Sequence, residues 1–283
     1  VPLDVAALRA GSRARAAARP DGPKLFAVTD AVVPSTPFVR ARHYRPVAEQ
    51  RPLLVFLHGG MWMLGDLDSH DGLCRRIADG AGVEVVAVDY RRAPEHPWPA
   101  AIDDATAAIR WAASGLGGAR TPGPVAAGGD SAGGCIGALA ALALRGDGDV
   151  ALTAQLLICP NTDLTAIEDP VIRAAAHAWM PKAARLADGD VSPLHARDLG
   201  GVAPAIVITA GDDALRAEGD AYAARLSDAG VAVTHRCEPG LPHGFVQGTD
   251  PGEVAATDRI IADVARALLR SHDRRGAGDE QLA

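Results

Sequence analysis

The segment Gly129-Asp130-Ser131-Ala132-Gly133-Gly134 sets a serine among small residues, directly after an apolar run at 125–127 and directly before an Ala-rich stretch of helical period. This G-x-S-x-G spacing suits a sharp strand-to-helix turn, where the serine oxygen stands clear of the sheet and a Cβ on either flanking glycine would strike neighbouring backbone. A hydroxyl displayed in this way is a nucleophile when a base lies beside it, and the helix N-terminus adds a positive field where an oxyanion would develop. A Gly-rich turn whose serine merely caps a helix has the same local pattern, so the companions decide between the two. The first is His58-Gly59-Gly60-Met61-Trp62, after the apolar run 53–57. Its backbone N–H groups can point at an oxyanion, which makes Gly59, Gly60 and Met61 with Ala132 the candidate oxyanion-hole residues. The second is His243, in Leu241-Pro242-His243-Gly244-Phe245, and the third is the pair Asp212-Asp213 after the run 205–209. Serine, acid and histidine then occur in the chain order of a Ser-His-Asp relay built on an α/β sheet. Neighbouring residues of an extended loop point in different directions, so only one of Asp212 and Asp213 can face His243, and spacing leaves the two level.

Such a constellation needs a frame. Short runs rich in Val, Ile and Leu at 53–57, 84–88, 125–127, 156–158, 205–209 and 231–237 alternate with stretches of helical period at 70–81, 100–113, 131–144, 216–229 and 253–270. The alternation predicts an α/β protein with a mostly parallel central sheet and helices on both faces. Segments 26–33 and 39–44, divided by Pro34 and Pro37, read as an antiparallel hairpin at the sheet edge. Residues 3–19 predict an Arg-bearing helix packed over the body, with an apolar stripe too thin for a membrane anchor. The polar stretch after Ser271 predicts a disordered tail over 271–283.

A chain of 283 residues allows one large domain, and 48% hydrophobic with 22% charged residues excludes disordered and fibrous classes. With 28 basic against 35 acidic residues the net charge is −7, the wrong sign for a nucleic-acid partner. Cys74, Cys135, Cys159 and Cys237 form no C-x-x-C pair, which argues against zinc ribbons and thiol redox chemistry and for reduced core thiols. No metal or organic cofactor is called for. No run of 18 apolar residues and no secretory leader pattern occurs, so no membrane span and a cytoplasmic location are expected. Asp89, Arg91, Glu95 and His96 sit in a Pro-rich turn and read as a structural hydrogen-bond knot. Trp98 and Trp111 read as core aromatics and Asp163 as a turn former beneath the site.

His58-Gly59-Gly60, the run from Asp89 to Pro97, Gly129 to Gly134, Pro160-Asn161-Thr162-Asp163-Leu164, Asp213-Ala214-Leu215 and His243-Gly244-Phe245 follow one another in order. Through these blocks, over roughly residues 40–270, the chain resembles the bacterial hormone-sensitive-lipase-like family of carboxylesterases, within the α/β-hydrolase fold. The resemblance implies Ser131 as nucleophile, His243 as general base and acid, and Asp213 as the orienting carboxylate, because Asp213 is the one followed by x-Leu. It implies hydrolysis of small, uncharged, short-acyl esters through an acyl-enzyme. The alternatives are an acyltransferase or cyclising enzyme using the same nucleophile, or a non-catalytic ligand-binding relative. It further implies lid elements at 1–37 and 164–191, and a homodimer through the sheet edge near 231–237. Two departures stand out. Met61 occupies the fourth position of a loop that in the family reads His-Gly-Gly-Gly; it keeps the amide but adds bulk beside the scissile bond, provided the backbone there does not need positive φ, so altered substrate choice is expected. The stretch 164–190 is short, and Trp179 and Met180 within it either line the pocket or pack in the core.

Overall fold

The structure, a computed structural model, describes residues 3–279. One sheet carries the strands β1 (Ala27–Val33), β2 (Val39–Arg45), β3 (Leu53–Leu57), β4 (Glu84–Asp89), β5 (Val125–Asp130), β6 (Leu152–Ile158), β7 (Ala205–Asp212) and β8 (Val233–Pro242). Their spatial order is β1-β2-β4-β3-β5-β6-β7-β8. β2 runs antiparallel to both β1 and β4, and the remaining pairs are parallel, so the expected edge hairpin and parallel body are both present. The helices are α1 (Val5–Ala17), α2 (Asp71–Ala81), α3 (Ala100–Ala113), the single turn α4 (Gly115–Gly118), α5 (Ala132–Ala143), α6 (Pro170–Trp179), α7 (Arg216–Asp228) and α8 (Pro251–Asp279).

The apolar runs are unbroken because both faces of the sheet are covered. In β3 every residue is buried. Alternate side chains divide between the layers: Leu54 and Phe56 pack with Leu73 and Ile77 of α2 and Ile260 and Val264 of α8, while Val55 and Leu57 pack with Ile109 of α3 and Ile136 of α5. Tyr222 and Leu226 of α7 join Val207 and Leu157 in a third cluster. β3 lies between β4 and β5, so the chain crosses from one side of the sheet to the other around it. The loops leaving the carboxyl ends of β3 and β5 therefore face a shared crevice, where open α/β sheets hold their ligands.

Several expectations need correction. α8 continues through Asp279, where a disordered tail was expected from 271; once a helix is nucleated each further residue adds a hydrogen bond. Residues 280–283 of that tail lie outside the described residues. α6 is a helix beyond those the apolar pattern predicts, and its start is written in Asp169-Pro170: the Asp169 carboxylate accepts from the amides of Val171 and Ile172, and proline occupies the first turn as it does in many helices. β5 and β7 run three residues further than the apolar pattern, to Asp130 and Asp212. Trp98 is half-buried with its indole N–H donated to Asp190 O at 3.0 Å and the Arg185 guanidinium 4.4 Å above its ring, so it is a surface clamp more than a core residue. The predicted knot exists with partners from outside the turn, Arg91 pairing with Asp104 of α3 and Glu95 with Arg9 of α1. All four cysteines are free. Among the described residues no helix is long and apolar enough to cross a membrane.

Trp179 and Met180 belong to the core and do not line the cavity that holds Ser131. The Trp179 ring stacks on that of Trp62 at 5.0 Å, with 13° between planes, and both are fully buried. Truncating a buried tryptophan costs about 3–5 kcal/mol. Trp179→Ala is expected to lower the thermal midpoint by several degrees in a melting experiment, and an unchanged midpoint would contradict this packing role.

Candidate active site

Ser131 stands at the junction of β5 and α5 with φ 54° and ψ −121°, a conformation a non-glycine residue adopts only when its surroundings compel it. Those surroundings are visible. The Ser131 amide donates to Ile158 O at 2.8 Å, and a Cβ on Gly129 or Gly133 would lie 1.8 or 1.9 Å from the Leu57 carbonyl oxygen. Only glycine fits at either position, which is the physical reason for the G-x-S-x-G spacing.

The three distant side chains converge. Ser131 Oγ lies 2.9 Å from His243 Nε2, and His243 Nδ1 lies 2.8 Å from Asp213 Oδ2. Asp213 Oδ1 accepts the Leu215 amide at 2.9 Å, so both carboxylate oxygens are committed. Asp212 ends β7 in register with Pro242 and is exposed. Geometry thus separates two residues that spacing left level, and Asp213 is the one that faces the imidazole. Burial alone would push the Asp213 carboxyl up, but the His243 hydrogen bond, its charge and the Leu215 amide hold it below the usual range. Burial likewise lowers His243, and the hydrogen bond and charge of Asp213, with Asp130 and Glu218 further off, outweigh it and raise the imidazole above its ordinary value.

The loop after β3 turns back over the serine. Gly60, Met61 and Trp62 have φ of 133°, 54° and 57°, and the Gly60 carbonyl closes the turn by accepting from Met63 and Leu64. Met61 thus sits in the left-handed region, the condition under which a side chain at that position is strained. The Gly59 amide donates to Asp130 Oδ1 at 2.9 Å, so Gly59 anchors the loop and does not supply an oxyanion donor; this corrects its place among the candidates. Among the described residues the amides of Gly60 and Met61 donate to no protein acceptor, and Ala132 begins α5, where a helix leaves its first amides unpaired.

Several residues that shape the site were not singled out from sequence. Asp130, although inside the motif, is the anchor: its carboxylate holds the Gly59 amide and meets His70 Nε2 at 3.2 Å. His70 in turn contacts Ser69 Oγ at 2.9 Å and the Gln247 amide. Burial raises Asp130, but His70 and the Gly59 amide keep it below the usual carboxylate range. His58 stacks on Tyr90 at 4.3 Å, and the Tyr90 hydroxyl donates to His58 O at 2.7 Å. Burial pushes His58 down to about 3, so it is a neutral structural residue. Beneath the serine, Asn161 Oδ1 lies 3.4 Å from Ser131 Oγ, and buried Glu218 accepts the Thr162 amide at 2.6 Å. Burial pushes Glu218 up to about 7. Asp163 is the turn former expected, accepting from the Thr165 amide at 2.9 Å.

The cavity over Ser131 has a volume of about 280 Å³ and is lined by Gly60, Met61, His243 and Gly244, with Arg15 and Arg19 from the N-terminal segment. Within the described residues one group has metal-ligand spacing: Cys159, Asp213 and His243 offer atoms within 4.8 Å of one another. Two of these are already joined to each other and to Ser131 by hydrogen bonds, and the buried Cys159 thiol lies beside them. An ion there would therefore compete with the relay. The arrangement can activate a hydroxyl through an imidazole and hold a developing oxyanion on main-chain amides.

A family described by its alpha/beta hydrolase fold matches residues 54–247. The carboxylic ester hydrolase LipN of Mycobacterium tuberculosis is 42% identical, over 94% of this chain and 77% of its own length. The carboxylesterase NlhH of the same species is 40% identical, over 81% and 79%. Among solved structures, the hyperthermophilic esterase of the archaeon Pyrobaculum calidifontis superposes with a TM-score of 0.85 at 32% identity, covering 93% of this chain and 94% of that one.

The opposing influences on His243 yield a sign that can be tested. With Asp213 in place the imidazole titrates above about 6.5. In Asp213→Asn the raising partner is gone while burial remains, so the midpoint falls. Imidazole proton NMR across pH reads both, and a midpoint that rises or stays put in Asp213→Asn would contradict the geometry.

Proposed function

We propose that this chain, which belongs to the hormone-sensitive-lipase-like family of α/β-hydrolases and is a carboxylic ester hydrolase, cleaves small or medium short-acyl esters through a covalent acyl-enzyme on Ser131. The observation that carries this is the unbroken line of contacts from Ser131 Oγ through His243 to Asp213. His243 Nε2 takes the hydroxyl proton as Oγ attacks the ester carbonyl, and the amides of Gly60, Met61 and Ala132 receive the oxyanion. Asp213 keeps the imidazole in the tautomer with Nδ1 protonated and stabilises the imidazolium. The alcohol leaves with the proton from Nε2, and water then repeats the cycle on the acyl-enzyme. The His243 side chain is 40% exposed against 1% for Asp213. Water thus reaches the imidazole edge, as the deacylation step requires. Met61 offers its amide to the oxyanion and also lines the cavity over Ser131, which supports a role in substrate choice.

A fluorophosphonate probe followed by peptide mass mapping tests the nucleophile. Modification at Ser131 alone, lost in Ser131→Ala, is the expected result, and modification elsewhere overturns the mechanism. On a 4-nitrophenyl ester, Asp213→Asn is expected to reduce kcat by about 10⁴-fold, as loss of the correct tautomer does in related relays, and Asp212→Asn by no more than a few-fold. Because neutral His243 is the base, kcat/KM is expected to rise with pH through the raised imidazole pKa. An acid limb centred well below pH 6 would contradict the assignment.

A further inference from the structure

One wall of the cavity over Ser131 comes from the N-terminal segment, where Ser12, Arg15 and Arg19 line it together. The spacing accounts for this: steps of three and four residues lie on one face of α1, and the cap Ala18 keeps helical geometry, so that face continues to Arg19. Arg19 is held in place by donating to Ser69 O at 3.0 Å. Among the described residues Arg15 and Arg19, like Arg13, form no ion pair, whereas Arg9 pairs with Glu95, Arg75 with Asp71 and Arg92 with Asp89. Asp130 is the one carboxylate among the cavity's lining residues, and it is buried and already bound to the Gly59 amide and His70. Two guanidinium groups without an ion-pair partner thus line the cavity that holds Ser131, the field of Asp130 reaching Arg19 without a contact, in a chain whose net charge is −7.

We propose that the preferred esters carry an anionic group, a carboxylate or phosphate, on the acyl or the alcohol portion, and that Arg15 and Arg19 hold it. The inference rests on the ester-hydrolase reading of Ser131 and narrows its substrate class. A guanidinium offers paired donors that match the oxygens of either anion. A local cationic rim also raises the encounter rate of an anion despite the overall acidic charge. The anion is bound and not consumed, so the bond making and breaking at Ser131 are unchanged. The neutral esters implied by family resemblance then become the weaker substrates.

Two matched pairs test it, with spontaneous hydrolysis subtracted: 4-nitrophenyl hydrogen glutarate against 4-nitrophenyl pentanoate for charge on the acyl side, and 3-carboxyphenyl butyrate against phenyl butyrate for charge on the alcohol side. The readout is the ratio of kcat/KM within each pair, which cancels differences in folded fraction. At least one ratio is expected to exceed one in the wild type and to fall roughly tenfold in the Arg15→Gln/Arg19→Gln double variant and in Arg15→Glu/Arg19→Glu. It should also fall in the wild type as salt is raised to molar strength. Ratios at or below one in the wild type, or ratios the double variants leave unchanged, overturn the inference while the neutral esters still report the Ser131 chemistry. Failure to cleave any of the four esters removes the ester-hydrolase reading itself.

Discussion

The site depends on a close approach between two strands and a helix. The carbonyl of Leu57, the last residue of β3, lies where a Cβ on Gly129 or Gly133 would have to be. With no side chain at those positions, the turn into α5 presses against the end of β3, and the loop that continues from Leu57 begins beside the serine. The distance between the Ser131 hydroxyl and the main-chain amides of that loop is thereby set by backbone packing in the sheet. Backbone packing holds such distances more tightly than mobile side chains can. The strained φ of Ser131 is held by the same contacts, with the Ile158 carbonyl accepting its amide.

Around that frame, buried charge is arranged in pairs. Asp130 ties the Gly59 amide to His70 on one side of the serine, and Asp213 ties the Leu215 amide to His243 on the other. Each carboxylate is drawn below its usual range by hydrogen bonds made to its charged form, despite burial. Glu218 is raised because its amide donors do not offset burial. Buried carboxylates with few compensating donors favour the proton, and this group anchors the loop after β6 through the Thr162 and Asp163 amides.

The parts of the fold legible in the sequence were those where a local pattern has one physical meaning. Unbroken apolar runs required a sheet covered on both faces, and the glycines of the 129–134 segment required a tight elbow. The choice between Asp212 and Asp213 was not legible from spacing, because it depends on which side chain leaves the end of β7 toward a loop 30 residues away. The resemblance to a family implies Asp213, and Asp213 is the one whose carboxylate lies 2.8 Å from His243 Nδ1. Gly59 was misassigned because its glycine neighbours make it look like a donor, whereas its amide partner, Asp130, is 71 residues distant. Met61 carried a condition the sequence could not settle, its backbone conformation, and the left-handed φ makes this position strained. The Arg15 and Arg19 rim was invisible because nothing in residues 3–19 indicates which cavity their helix faces.

In the proposed mechanism Ser131 Oγ bonds the ester carbon while the amides of Gly60, Met61 and Ala132 together hold its oxyanion. A crystal structure of the chain with a phosphonate bonded to Ser131 measures this directly, since the phosphoryl oxygen stands in for that oxyanion. The expected result is an oxygen about 2.7–3.1 Å from those three nitrogens, with the Gly59 amide still on Asp130. A phosphoryl oxygen turned to solvent, or held by the Gly59 amide in place of the other donors, would contradict it.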